Sequence, residues 1–134
     1  MNDGFVEIPL DTKLHDHTDE FSFILKPAGA KGIGVYATHG IRAGTQLRLF
    51  ADGRTREFSR QTMAADPRLE RFCQFYGVDI PEGSSVAPDF GCMSVGWYLN
   101  HADPPNARHD ESWDYFADRD IAAGEEITID YRWL

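Results

Sequence analysis

Apolar and polar residues alternate in several short stretches of the chain, and that period of two predicts strands. In FSFIL, residues 21–25, Phe21, Phe23 and Leu25 fall on one face. In EITIDY, residues 126–131, Ile127, Ile129 and Tyr131 alternate with Thr128 and Asp130. Both read as half-buried strands. GVYAT (34–38) and TQLRLF (45–50) add two more, and the glycines of HGIRAG between them predict a turn. The period becomes helical only in DPRLERFCQFYG. There Asp66 is an N-cap and Pro67 takes the first helical position. Leu69, Phe72, Cys73 and Tyr76 then follow an i, i+3, i+4, i+7 stripe, read as packing, that Gly77 ends. From Gly77 to Gly91 proline, glycine and serine dominate, which predicts a long ordered loop. The chain shows no internal repeat and no low-complexity tail.

With 134 residues, one domain can bury its own core without disulfides or a metal. Thirteen basic and twenty-two acidic side chains give a formal net charge of −9. That charge opposes direct binding to nucleic acid or anionic lipid and suits a basic protein partner. Cys73 and Cys92 stand nineteen apart with no CxxC pair, so the expectation is two small buried thiols in a reducing compartment. The start, MNDGFVEIPLDTKLHDH, has no basic stretch followed by an apolar run, and no later stretch suits a membrane span. A soluble, cytoplasmic protein is expected.

Three segments carry candidate chemistry. KGIGVYA holds Gly32 and Gly34 one residue apart, a spacing that lets backbone groups approach a ligand closely but that also serves plain turns. No third glycine opens a helix and no βαβ unit follows, which excludes a dinucleotide fingerprint. YLNHADPPNA sets Asn100 beside His101 and closes with Pro105 and Asn106, and RDIAAGEEITIDY ends on Asp130 and Tyr131. Taken singly, an Asn-His pair reads as a turn pair and a terminal Tyr as packing.

In order, KGIGVYATHGIRAGT, YLNHADPPNA and RDIAAGEEITIDY resemble the glycine motif, the asparagine-histidine motif and the C-terminal motif of the SET domain, the fold of one large class of protein lysine methyltransferases. The resemblance spans Lys31 to Tyr131. It implies a mainly β fold of the β-clip type, with short curved sheets, a C-terminal knot-like threading and one short helix in an insert. The whole chain, 1–134, would form one such domain, with core motifs at 31–50 and 94–131 and the insert at about 51–93. The resemblance further implies S-adenosylmethionine as cofactor, with Asn100 and His101 binding it and Lys31, Gly32, Ile33 and Gly34 lining its amino-acid end. Tyr131 is implied as the catalytic tyrosine, also bordering the cofactor, and Tyr98 and Ile129 as lysine-channel residues. An aliphatic Ile129, where many relatives carry Phe or Tyr, implies room for more than one methyl group.

Such a reaction displaces a methyl group from a positively charged sulfur onto an amine. The enzyme must align nitrogen, carbon and sulfur and present the lysine uncharged, although a free lysine has a pKa near ~10.4. Desolvation in a narrow channel serves that end. Two departures from the family pattern stand out: Leu49-Phe50 occupies the place of an acidic-tyrosine pair, and the sequence ends three residues after Tyr131, where many relatives carry a cysteine-rich zinc-binding extension. Something else is then expected to close the channel: Trp133, which also lies within reach of the cofactor in this reading, a partner subunit as in a homodimer, or the substrate itself. Three alternatives stay open. The first is a catalytically weak SET-like module that binds a basic peptide, and the second a structural β-clip relative. The third is a metal site drawing on HAD (101–103) or HDHTDE (15–20), against which stands the lack of a distal histidine beyond His109.

Overall fold

The computed structural model describes residues 8–134. The readings of the chain's start and of a unit beginning at residue 1 therefore lie partly outside the described residues. Among the described residues twelve short strands dominate: β1 (Asp11–His15), β2 (Phe23–Pro27), β3 (Ile33–Ala37), β4 (His39–Ile41), β5 (Gln46–Leu47), β6 (Arg56–Ser59), β7 (Val78–Ile80), β8 (Gly83–Val86), β9 (Asn100–His101), β10 (Ala107–His109), β11 (Tyr115–Ala117) and β12 (Glu126–Ile129). Two helices, α1 (Arg60–Ala64) and α2 (Pro67–Tyr76), lie between β6 and β7. The strands form four small sheets, ordered β1-β4, β10-β11-β5, β2-β3-β12-β9 and β6-β8-β7. The architecture is mainly β, as expected.

One apolar core joins three of these sheets. Val35, Ile41, Leu49, Ile121 and Ile127 are almost wholly buried there. Each such side chain contributes roughly 1.5–3 kcal/mol through removal of apolar surface from water. The helix α2 forms as its pattern predicts: the Asp66 carboxylate accepts from the Arg68 N–H at 3.0 Å, Pro67 begins the helix, and Cys73 of its apolar stripe is buried. The sheet β6-β8-β7 and both helices all fall between residues 56 and 86, inside the expected insert.

Several local expectations give way. Phe21 is exposed and precedes the strand, and Ile24 and Leu25 are both largely exposed, because β2 is an edge strand of which only Phe23 packs on the core. HGIRAG is not simply a turn: His39–Ile41 is β4, pairing in parallel with the polar β1, and the turn is confined to the residues after it. The TQLRLF strand shortens to Gln46–Leu47. The loop expected from Gly77 to Gly91 contains the β7-β8 hairpin. A second helix, α1, accompanies α2 and is capped by Ser59, whose Oγ accepts from the Thr62 N–H. Cys92 is only half-buried, and both cysteines are free. Finally, β12 ends at Ile129 and is buried on both faces, so Tyr131 does not share a strand face with Ile129 but opens a 3₁₀ turn, Tyr131–Trp133.

Candidate cofactor and active site

Strand pairing brings the three motif segments together. β12 runs antiparallel to β3, with Glu126 opposite Tyr36 and Ile127 opposite Val35. Further along, β12 also runs parallel to β9, with Thr128 opposite Asn100 and Ile129 opposite His101. The glycine turn enters from the β2-β3 connection. Gly32 there has φ +84°, the left-handed region that glycine adopts without a Cβ penalty, and Lys31 precedes it. Across this junction Lys31 Nζ lies 2.6 Å from Glu126 Oε1. Asn100 Nδ2 donates to Glu126 Oε2 at 2.8 Å and to the Ile33 carbonyl at 2.9 Å. Gly34 allows this approach, since a Cβ there would stand 3.0 Å from Glu126 Cδ and closer still to its carboxylate oxygen.

A second cluster adjoins the first. The Tyr131 N–H donates to His101 Nδ1 at 3.1 Å, and the Tyr131 hydroxyl donates to the Leu99 carbonyl at 2.6 Å. The two rings lie 5.4 Å apart. Burial and the Glu126 charge hold the Tyr131 hydroxyl above the ordinary phenol range, against an opposing pull from Lys31. Both members of the ion pair are therefore within electrostatic reach of the tyrosine. Beneath it, the side chain of Asp130 is almost wholly buried, caps the 3₁₀ turn through the Arg132 N–H, and is clasped by the Arg132 guanidinium, which also reaches Asp103.

That clasp lowers the Asp130 carboxyl from 3.8 to about 2. A depressed folded-state pKa contributes stability that is fully present above 3.8 and lost as the pH falls towards about 2. In acid titrations followed by circular dichroism, Asp130→Asn is therefore expected to be less stable than wild type at neutral pH, with the gap closing between those two values. A gap unchanged by acid would exclude the pairing.

A family model described as the SET domain matches residues 32–132, from the glycine turn to the C-terminal 3₁₀ turn. The chain belongs to the SET-domain family. Members of this family are usually protein lysine methyltransferases that use S-adenosylmethionine. No curated protein matches the chain closely enough to count as a relative.

The other predicted residues of this SET domain occupy varied places. Ile33 is half exposed beside the glycine turn. Tyr98 is half-buried, its hydroxyl pushed up by burial, and its ring meets Tyr76 of α2 edge-on at 6.2 Å, so the insert touches the expected channel. Ile129 belongs to the core. Trp133 is half exposed and its carbonyl oxygen lies 3.0 Å from His109 Nε2, which ties the C-terminal turn to β10. Phe50, where a tyrosine was expected, packs between Trp97 and Tyr115 and brings no hydroxyl.

Sequence reasoning passed over Glu126 and gave Asn106 no role beyond closing a loop. Asn106 is buried, and its side-chain amide donates to the Glu126 carbonyl at 2.7 Å and accepts from the Thr128 N–H at 2.8 Å. The signal for both was the polar half of the alternation in residues 126–130, read only as a contrast to the apolar half. The HAD stretch is committed elsewhere, His101 to the Tyr131 N–H and Asp103 to Arg132. In the HDHTDE stretch His15 pairs with Asp11 and packs on His39. Among the described residues no three His, Cys, Asp or Glu side chains gather as a metal-binding group. No described helix is long and apolar enough to cross a membrane.

Proposed function

We propose that this SET domain transfers methyl groups from S-adenosylmethionine to the side-chain amine of lysine in a basic protein substrate. The observation that carries the reading is the junction of β3, β9 and β12. It sets Lys31, Asn100 and the close approach at Gly34 next to the His101–Tyr131–Leu99 cluster. The residues fit the cofactor. A lysine cation suits its carboxylate, an oriented asparagine suits its polar groups, and Gly34 keeps the junction free of a side chain. When bound, the cofactor supplies an electrophilic methyl group carried on a positively charged sulfur.

The chain's own part is positioning. The Tyr131 hydroxyl, spent as a donor on Leu99, keeps its lone pairs for an amine N–H, which aims the nitrogen's own lone pair away from the tyrosine. Half-burial of Tyr98 and Tyr131 disfavours a charged lysine in the same space, which lowers its pKa. Alignment of this kind contributes on the order of 7–11 kcal/mol to lowering a barrier, so no general base is required. The net charge of −9 supports a basic partner.

Phe50 favours one rival, a catalytically weak module that binds a basic peptide, because it removes one hydroxyl from the expected site. Mass spectrometry of lysine-rich proteins incubated with the chain and labelled cofactor separates the two: methyl-lysine supports the proposal, and peptide binding without label supports the rival. On the cofactor side, Asn100→Ala removes both the Glu126 and Ile33 contacts and is expected to cost about 1–3 kcal/mol of affinity by calorimetry. Equal affinities would displace the cofactor from this junction.

A further inference from the structure

The Lys31–Glu126 pair invites a use beyond holding strands together. Glu126 is fixed from two sides, by Lys31 on Oε1 and by Asn100 on Oε2, and its side chain retains 15% exposure. Lys31 is the freer member, with 43% of its side chain exposed and its stem rising from the glycine turn. One negative and one positive group, 2.6 Å apart and open to solvent on one side, form the mirror of a zwitterion. An α-amino acid end group carries an ammonium and a carboxylate in the same proximity. The Gly34 backbone beside them leaves no side chain in the way.

We propose that Glu126 is the residue that recognises the α-ammonium of the cofactor's amino-acid end, with Lys31 recognising its α-carboxylate, so that the ion pair is a charge template for a zwitterion. This rests on the proposed use of S-adenosylmethionine. Four charges of alternating sign then replace two. Asn100 is in this view a positioning residue, holding the Glu126 carboxylate in one orientation, which strengthens a charge-assisted hydrogen bond. The template is indifferent to the sulfur. The demethylated product, S-adenosylhomocysteine, keeps the same end group and engages Glu126 equally.

Calorimetric titration of wild type and Glu126→Gln with three ligands tests this. S-adenosylmethionine carries both the zwitterion and the sulfonium, S-adenosylhomocysteine the zwitterion alone, and methylthioadenosine neither. Glutamine keeps the oxygen that accepts from Asn100 and loses the charge. The expected result is a loss of about tenfold or more for the first two ligands, to the same degree, and none for methylthioadenosine. A loss confined to S-adenosylmethionine would assign Glu126 to the sulfonium. A loss shared by methylthioadenosine would make the pair structural, and no loss at all would end its role in binding. Each of these overturns the inference while leaving the cofactor assignment intact, whereas wild type that binds none of the three overturns both. Lys31→Met, at the exposed end of the pair, is expected to give the same ligand pattern. It carries the test where Glu126→Gln does not fold, and equal loss on all three ligands would overturn the template there too.

Discussion

Tyr131→Phe is expected to slow single-turnover methyl transfer by on the order of a hundredfold or more while leaving cofactor affinity nearly unchanged. The substitution removes one oxygen, the one that lies 2.6 Å from the Leu99 carbonyl. Leu99 directly precedes Asn100, so this bond ties the tyrosine to the residue that holds the glycine turn. The hydroxyl is held above the ordinary phenol range by burial first and by the Glu126 charge second. It therefore stays protonated at neutral pH and keeps donating to Leu99, which leaves its lone pairs for the amine we propose it orients. Phenylalanine preserves the ring packed near His101, so the stability loss is limited to one hydrogen bond, about 1 kcal/mol. A wild-type transfer rate in Tyr131→Phe on a confirmed substrate would reduce this tyrosine to packing. A matching loss of cofactor affinity would make it a binding residue instead.

What the sequence made legible follows from where side chains carry the information. The helix α2 announces itself because its cap, its proline and its stripe are all local, and the structure uses each of them. The β7-β8 hairpin does not, because backbone contacts hold it. Gly83 pairs with Ser59 across β6, and a Cβ on it would run into the Phe58 carbonyl, so the strand must be small and shows little apolar pattern. The β1-β4 pair is equally silent, since every residue of β1 is polar except Leu14 and none is buried. At the site, the glycine turn, Asn100, His101 and Tyr131 were readable through the family resemblance, whose motifs lie far apart in the chain but meet through strand pairing. The alternation in residues 126–131 was readable as a strand, but its polar face was taken for the outside. Glu126, Thr128 and Asp130 instead face the ion pair, the Asn106 amide and the Arg132 clasp. Period two shows that two faces differ, not that one of them meets water.

Asn106→Ala is expected to cost more than most single substitutions, because the Asn106 amide replaces a missing strand. On the flank of β12 that it covers, it offers what a neighbouring backbone would: Nδ2 donates to the Glu126 carbonyl and Oδ1 accepts from the Thr128 N–H. The Asn106 N–H completes the clasp by donating to Thr128 Oγ1 at 3.2 Å, and Nδ2 also lies 3.3 Å from Glu125 Oε2. Alanine leaves both backbone groups of β12 unpaired in a region where Asn106 is 2% exposed and Thr128 8% exposed. At roughly 1–3 kcal/mol for each of the two buried groups left without a partner, the expected loss is about 2–6 kcal/mol. That is a large share of the ~5–15 kcal/mol that keeps an ordinary domain folded. Asn106→Asp is expected to be worse, since it keeps the acceptor but sets a carboxylate oxygen against the Glu126 carbonyl and the Glu125 carboxylate. Because Thr128 stands opposite Asn100 in the β9-β12 ladder, the damage is also expected to reach Asn100, which we propose to serve the cofactor. Urea unfolding of wild type and both variants measures the cost as a shift in midpoint at constant slope. A shift worth less than about 1 kcal/mol in Asn106→Ala would show that water or a neighbouring residue satisfies β12, and that Asn106 closes a loop and nothing more.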